Sequence, residues 1–362
     1  MDLSAAQAVA LPKILLHDHL DGGLRPSTIV ELAAEIGHEL PSTDLPELVA
    51  YFRRGADARD LLQYLETFSH TIPLLQTADA MHRVANEAAD DLAADGVIHA
   101  EVRFAPELHP GIGSLDAAIE AVTAGFAAST ADITVNTIVC AMRTEERSAE
   151  VAEAAVRWCE RKQDGHSGVV AFDLAGAETG FPPSDHGEAL AIARRGLANI
   201  TIHASEPPGL ELIAGALEFG AQRIGHGVRL IEDCERLDDG SLELGPLARS
   251  VRDRRIPLEL CPSCNVQIGA VPSLGEHPLG PFLRSGIMAT VNTDNRLMSG
   301  VTLSSEMAAT AAAFDLTYAE IEQLQHNAAE AAFVTPSERS VLHRKVREQF
   351  VSNNPTHSAT EL

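Results

Sequence analysis

Basic residues are scarce in this 362-residue chain: 27 Lys and Arg stand against 52 Asp and Glu, a formal net charge of −25. Such a surface repels a phosphate backbone, whose capture depends on cationic side chains displacing counterions, so no nucleic-acid polymer is expected as a partner. Long apolar runs are missing too. No stretch approaches the roughly 18 residues that span a bilayer, and no membrane partner is expected. The first residues, Met1-Asp2-Leu3-Ser4, carry no basic segment, and the short apolar stretch from Leu11 to Leu16 is interrupted by Pro12 and Lys13. A secretory leader wants both features, so a cytoplasmic location is expected. The five cysteines, Cys140, Cys159, Cys234, Cys261 and Cys264, are odd in number and sparse, which does not resemble a disulfide framework.

What is present is alternation. Short β-rich runs alternate with Ala-rich amphipathic stretches, the pattern of repeated βα units. Eight candidate strands can be counted: Ile14 to His19, Ile98 to Phe104, Thr134 to Ala141, Val169 to Leu174, Ile200 to His203, Arg223 to Ile224 running into Gly225, Ile256 to Leu260, and Ala289 to Asn292. Eight closes a barrel, so the expected fold is an α/β (β/α)₈ TIM barrel. Crossover helices are expected over Glu145 to Lys162, Ser184 to Leu197 and Leu247 to Arg254, with Thr302 to Phe314 and Thr317 to Phe333 finishing the ring. An unusually long insertion after the first strand, about residues 25–95, holds at least two helical segments and could cap the mouth. Residues 1–351 read as one elaborated barrel domain, and 352–362 as a polar, frayed tail containing Pro355.

In such a barrel, residues at the carboxyl ends of the strands converge on one mouth whatever their separation in sequence. His17 and His19 end the first strand, His203 the fifth; His226 follows the sixth and Asp294 the eighth. A spacing of two puts the imidazoles of His17-Asp18-His19 on the same side of a strand. Neutral imidazoles suit zinc or another borderline divalent metal. Taken singly, each feature has an ordinary alternative: surface histidines in a turn, a hydrogen-bonded His203 and Glu206 pair, a turn histidine between Gly225 and Gly227, an Asx cap at Asp294. Their convergence on one rim favours a three-His, one-Asp metal site. Cys261-Pro262-Ser263-Cys264 has redox or zinc-knuckle spacing but no second pair, and reads as packing at the end of the seventh strand.

These residues carry a resemblance to the adenosine deaminase family. The matching motifs are His17-Asp18-His19-Leu20-Asp21-Gly22, Asp173-Leu174-Ala175-Gly176, His203-Ala204-Ser205-Glu206, Arg223-Ile224-Gly225-His226-Gly227, Cys261-Pro262 with Asn265, and Asn292-Thr293-Asp294, in family order over about residues 13–340. The resemblance implies one Zn²⁺ per chain held by His17, His19, His203 and Asp294. It implies Glu206 as proton donor, His226 as the residue that orients and helps deprotonate the attacking water, Asp21 as a ribose-hydroxyl contact, and Gly176 as a backbone contact to the purine, with His19 also near the substrate. Leu61, Tyr64, Leu65 and Phe68 resemble an apolar lid, with ordinary helix core as the alternative. The implied activity is zinc-dependent deamination of adenosine and 2′-deoxyadenosine in purine salvage. The implied partner is a small-molecule purine nucleoside.

Three positions depart from the family pattern: Ser205 stands for the usual Gly, Cys264 for a frequent Ser, and Asn295 for an Asp that bonds the purine N7. An amide still offers N7 a donor. The nearest alternative is a deaminase of adenine or of a modified adenine nucleoside such as aminodeoxyfutalosine, against which Asp21 argues for a ribose. A two-metal phosphoester or amide hydrolase would want a carboxylated Lys, but the fourth strand end reads Phe172-Asp173-Leu174. A non-enzymatic relative would have no need of the complete set of ligands with Glu206 and His226.

Overall fold

The computed structural model describes residues 3–204, 207–238 and 241–353. Six parallel strands pair in chain order: β1 (Lys13–His19), β2 (Val97–Phe104), β3 (Thr134–Met142), β4 (Val169–Ala175), β5 (Asn199–Ala204) and β6 (Arg223–His226). A small antiparallel hairpin, β7 (Cys234–Arg236) and β8 (Leu242–Leu244), precedes β9 (Leu258–Leu260) and β10 (Ala289–Val291), which extend the sheet to eight strands. The seam between β10 and β1 is stitched by loop groups. The His19 amide donates to the Asp294 carbonyl at 2.7 Å and the Asp294 amide to the His17 carbonyl at 3.0 Å. Asn292 Oδ1 accepts from the amides of Leu16 and His17. The ring of strands is thereby joined into a barrel, and the expected TIM architecture is the one observed.

Strands buried on both faces read as near-continuous apolar runs, and β4 is buried at all seven positions. The exceptions are charged residues pointing inward. Helices cover the outside; Leu303–Phe314 and Tyr318–Ala331 start at the capping threonines Thr302 and Thr317. The expected elements appear with small shifts at their ends: the first six strands each run a residue longer at one or both ends, whereas the seventh barrel strand begins at Leu258 rather than Ile256 and the helix expected over Glu145 to Lys162 spans Ser148–Cys159. Among the described residues, no helix is long and apolar enough to cross a membrane.

The expected insertion divides in two. Helix Ala78–Ala94 packs against β2 and helix Leu115–Ala128, so it belongs to the outer ring. The part before it contains helices Pro26–Ile36, Leu45–Ala56 and Leu61–Glu66 and two short 3₁₀ turns, and its Leu61, Tyr64, Leu65, Phe68 and Ile72 line the cavity at the mouth. The side chains that resemble an apolar lid thus border the cavity rather than only the helix core. Elements not anticipated include the β7–β8 hairpin and a last helix, Pro336–Ser352.

Leu197, at the turn into β5, is 90% exposed and has a left-handed backbone (φ 57°). Its Cβ crowds the following carbonyl there at a cost of roughly 1–2 kcal/mol, against which glycine loses some unfolded-state entropy. Leu197→Gly is expected to raise stability by about 0.5 kcal/mol, read as a higher urea midpoint at unchanged m.

Candidate metal and substrate site

The strand ends bring the expected side chains together. Ligand atoms of His17, His203, His226 and Asp294, all buried, lie within 4.8 Å of one another. His19 stands beside them, its Nε2 3.2 Å from His203 Nε2 and 3.3 Å from Asp294 Oδ1. Asp18, between the two histidines, accepts from Thr293 Oγ1 at 2.7 Å and pairs with Arg296, and so pins the β1–β10 seam. Both His226 and Asp294 have left-handed backbones, each with φ 59°. That conformation costs of order 1 kcal/mol or more in a residue bearing a Cβ and is retained where it aims a side chain at a site. At Gly225 a side chain is impossible: its Cβ would lie 2.9 Å from the His203 Cα and 3.3 Å from His17 Cε1. This glycine lets two rings meet.

The tautomers follow from the hydrogen bonds behind the rings. His17 Nδ1 faces Glu259 Oε2 at 2.8 Å, and His203 Nδ1 faces Asp173 Oδ2 at 3.1 Å. Carboxylates only accept, so each Nδ1 carries the hydrogen and each Nε2 turns a lone pair into the mouth. Burial alone would raise the Glu259 and Asp173 carboxyls, but neighbouring cations, Arg103 for both, hold them below the usual range. The lone pair of His17 Nε2 lies 3.2 Å from Asp294 Oδ1 without a hydrogen bond of good geometry. Acceptor facing acceptor in a buried site is relieved by a proton on the ring or by a cation between the two groups, and two imidazoles with a carboxylate suit a borderline divalent metal. The residues fit the group that the strand-end pattern implies.

His226 differs from the other rings. The Leu279 amide donates to His277 Nδ1 (3.2 Å), so His277 Nε2 donates to Asn265 Oδ1 (3.1 Å), which also accepts from the Cys261 amide. The Asn265 amide nitrogen therefore donates to His226 Nδ1 at 3.0 Å. Burial keeps His226 neutral. Its hydrogen then sits on Nε2, where the ring is a donor suited to orienting an oxygen. Asn265→Leu would leave His277 and Cys261 without their acceptor and free the His226 tautomer. It is expected to lower kcat by about 10–100-fold with KM little changed, as for other groups that orient a reacting ring, measured by steady-state kinetics.

Around this cluster lies a cavity of about 230 Å³, lined by the lid residues and by His19, Asp21, Gly176, Cys264 and Asn295. Its walls are apolar, and two polar atoms in it, Asp21 Oδ1 and Asn295 Oδ1, are buried without a hydrogen-bond partner. Burial pushes the Asp21 carboxyl up to about 7. Asn295 packs over Gly22, where a Cβ would meet its Oδ1 at 1.9 Å. Glu206 and Ser205 lie outside the described residues. Cys261 is buried packing, whereas Cys264 borders the cavity and brings its Sγ to 2.7 Å from Asp294 Oδ2; the packing expected of the pair holds for the first thiol only.

Sequence reasoning overlooked Arg103 and Glu259. Arg103 donates to Asp173, Glu259 and the Leu16 carbonyl, and Glu259 also accepts from Thr201 and Arg223. The available signal was a charged residue flanked by apolar ones inside a buried strand, Val102-Arg103-Phe104 and Leu258-Glu259-Leu260.

Comparison with known proteins agrees with this geometry. The adenosine deaminase family profile matches residues 12–349. An adenosine deaminase from Mycolicibacterium vanbaalenii is 51% identical over 338 residues, covering 91% of this chain and 92% of that protein. Among solved structures, the adenine deaminase of Arthrobacter aurescens superposes with a TM-score of 0.81 at 26% identity, over 93% of this chain and 98% of that one. The Arabidopsis N6-mAMP deaminase gives 0.79 at 25%, over 96% and 99%. The chain belongs to the adenosine deaminase family, hydrolases that act on C–N bonds.

Proposed function

We propose that this protein hydrolyses adenosine and 2′-deoxyadenosine to inosine and 2′-deoxyinosine with release of ammonia, using one zinc ion held by His17, His19, His203 and Asp294. The observation that carries the proposal is the convergence of His17 Nε2, His203 and Asp294 in one buried cluster, each histidine backed by a carboxylate. The name carried by relatives near 50% identity over nine-tenths of the chain supports adenosine as substrate.

Zinc bound there would supply an acidified water, its pKa brought from about 15.7 to about 7. The chain's own residues do the rest. Asp294 accepts the proton of the attacking water and passes it to the departing amino group as the C6–N bond breaks, and His226, as an Nε2 donor, holds the water oxygen toward C6 of the purine. Glu206 gives a proton to N1 as the ring loses aromaticity, a general-acid contribution of about 10²- to 10⁴-fold. The Gly176 amide and the Asn295 side-chain amide contact the ring, the latter donating to N7, and Asp21 bonds a ribose hydroxyl. Leu61, Tyr64, Leu65 and Phe68 close over the nucleoside and exclude bulk water. We place the activity in purine salvage in the cytoplasm.

Absorbance monitoring of adenosine, 2′-deoxyadenosine, adenine and aminodeoxyfutalosine, with ammonia release measured in parallel, tests the substrate. Both nucleosides are expected to turn over with kcat/KM far above free adenine, because adenine leaves Asp21 unpartnered. Preference for adenine or aminodeoxyfutalosine would replace this reading with the neighbouring one.

A further inference from the structure

The last two helices, Tyr318–Ala331 and Pro336–Ser352, pack side by side on the outer wall. Tyr318 donates to the Phe350 carbonyl at one end of the pair. Midway, His326 Nδ1 lies 2.9 Å from His343 Nδ1, with ring centroids 5.1 Å apart. The opposite ring nitrogens face carboxylates: His343 Nε2 is 3.3 Å from Glu330 Oε2, and His326 Nε2 is 3.7 Å from Glu322 Oε1. Because a carboxylate only accepts, Glu330 favours the hydrogen of His343 on Nε2 and leaves its Nδ1 with a lone pair. Glu322 lies beyond hydrogen-bond reach of His326 Nε2, so in the metal-free pair His326 Nδ1 donates to His343 Nδ1. Moving that one hydrogen to His326 Nε2, toward Glu322, turns both Nδ1 lone pairs to a cation placed between the rings.

We propose that His326 and His343 form a second divalent-metal site, on the outer helices rather than at the barrel mouth, taking Zn²⁺, Ni²⁺ or Cu²⁺ with water completing the shell. Imidazole donors select these borderline ions over Mg²⁺ or Ca²⁺. Glu330 backs His343 as the carboxylate behind an oriented ligand does, and Glu322 stands 3.7 Å behind His326 Nε2. Two nitrogens on a tetrahedral ion lie about 3.3 Å apart at zinc–nitrogen distances near 2.05 Å, so the rings need to part by only about 0.4 Å. The two side chains are 22% and 28% exposed, open enough for an ion to enter. Arg347 opposes a cation near His326, and the two glutamates outweigh it. Occupancy would tie the last helix to its neighbour.

Enzyme whose barrel-mouth metal content has been measured is passed over a desalting column and titrated with Zn²⁺ by calorimetry. One further equivalent is expected, and H326Q or H343Q is expected to weaken its binding by about tenfold or more, with kcat on adenosine preserved. Cu²⁺ added to the unsubstituted enzyme gives an independent reading, an electron paramagnetic resonance spectrum with coupling from two imidazole nitrogens. No further equivalent, uptake unaltered in both variants, or a copper spectrum without that coupling overturns the site.

Discussion

Asp294→Ala is expected to lower kcat/KM on adenosine by about 10⁴-fold or more, equivalent to about 5 kcal/mol of transition-state stabilisation. The residue has three tasks in the account above. Its Oδ1 lies 3.2 and 3.3 Å from His17 and His19, its carboxylate is the proposed acceptor of the water's proton, and its backbone bridges β10 to β1. Alanine keeps the backbone bridge, so loss of activity with an unchanged circular dichroism spectrum isolates the carboxylate. Metal content should fall with activity. Activity within about tenfold of the parent would remove Asp294 from the chemistry, since even a single positioned acid or base contributes about 10²-fold.

Arg103→Leu is expected to cost about 3–5 kcal/mol of stability, the usual penalty for stranding buried charge. The guanidinium is fully buried and reaches Asp173 at 2.9 Å and Glu259 at 2.7 Å. Without it, two carboxylates at the heart of the barrel lose a shared cation, although Arg223 and the histidines still neutralise part of their charge. For a chain of this size the loss corresponds to a melting temperature lower by roughly 5 °C. Because Asp173 and Glu259 each orient an imidazole of the proposed metal site, activity of the folded fraction should fall as well. Arg103→Lys keeps one charge but not the fork that spans both carboxylates, and an intermediate loss is expected from calorimetry. A Leu variant as stable as the parent would show that the carboxylates are neutralised by other groups.

The barrel was legible because parallel strands, buried on both faces, print as short apolar runs, and eight of them can be counted. The site was legible for a related reason: a histidine ending such a run, as in Leu15-Leu16-His17-Asp18-His19 or Ile202-His203, has no packing purpose. The last helix escaped notice because Leu342, Val346 and Phe350 form a single narrow buried stripe in an otherwise polar segment. Its start was nonetheless written in Thr335-Pro336-Ser337-Glu338, a capping box with proline at the first helical position. The β7–β8 hairpin has strands of three residues, too short for period-two alternation to register. The donor character of His226 could not be read from Gly225-His226-Gly227, since it depends on Asn265 and His277, 39 and 51 positions further on and brought near only by the closed barrel.

The central claim is that the cluster of His17, His19, His203 and Asp294 at the barrel mouth works only around a divalent ion. It is tested most directly by dialysing the enzyme against a strong chelator, confirming metal loss by mass spectrometry, and following adenosine absorbance before and after adding back zinc. The account predicts near-complete loss of turnover and its return with one equivalent of ion at the barrel mouth. Full deamination by verified metal-free protein would contradict it.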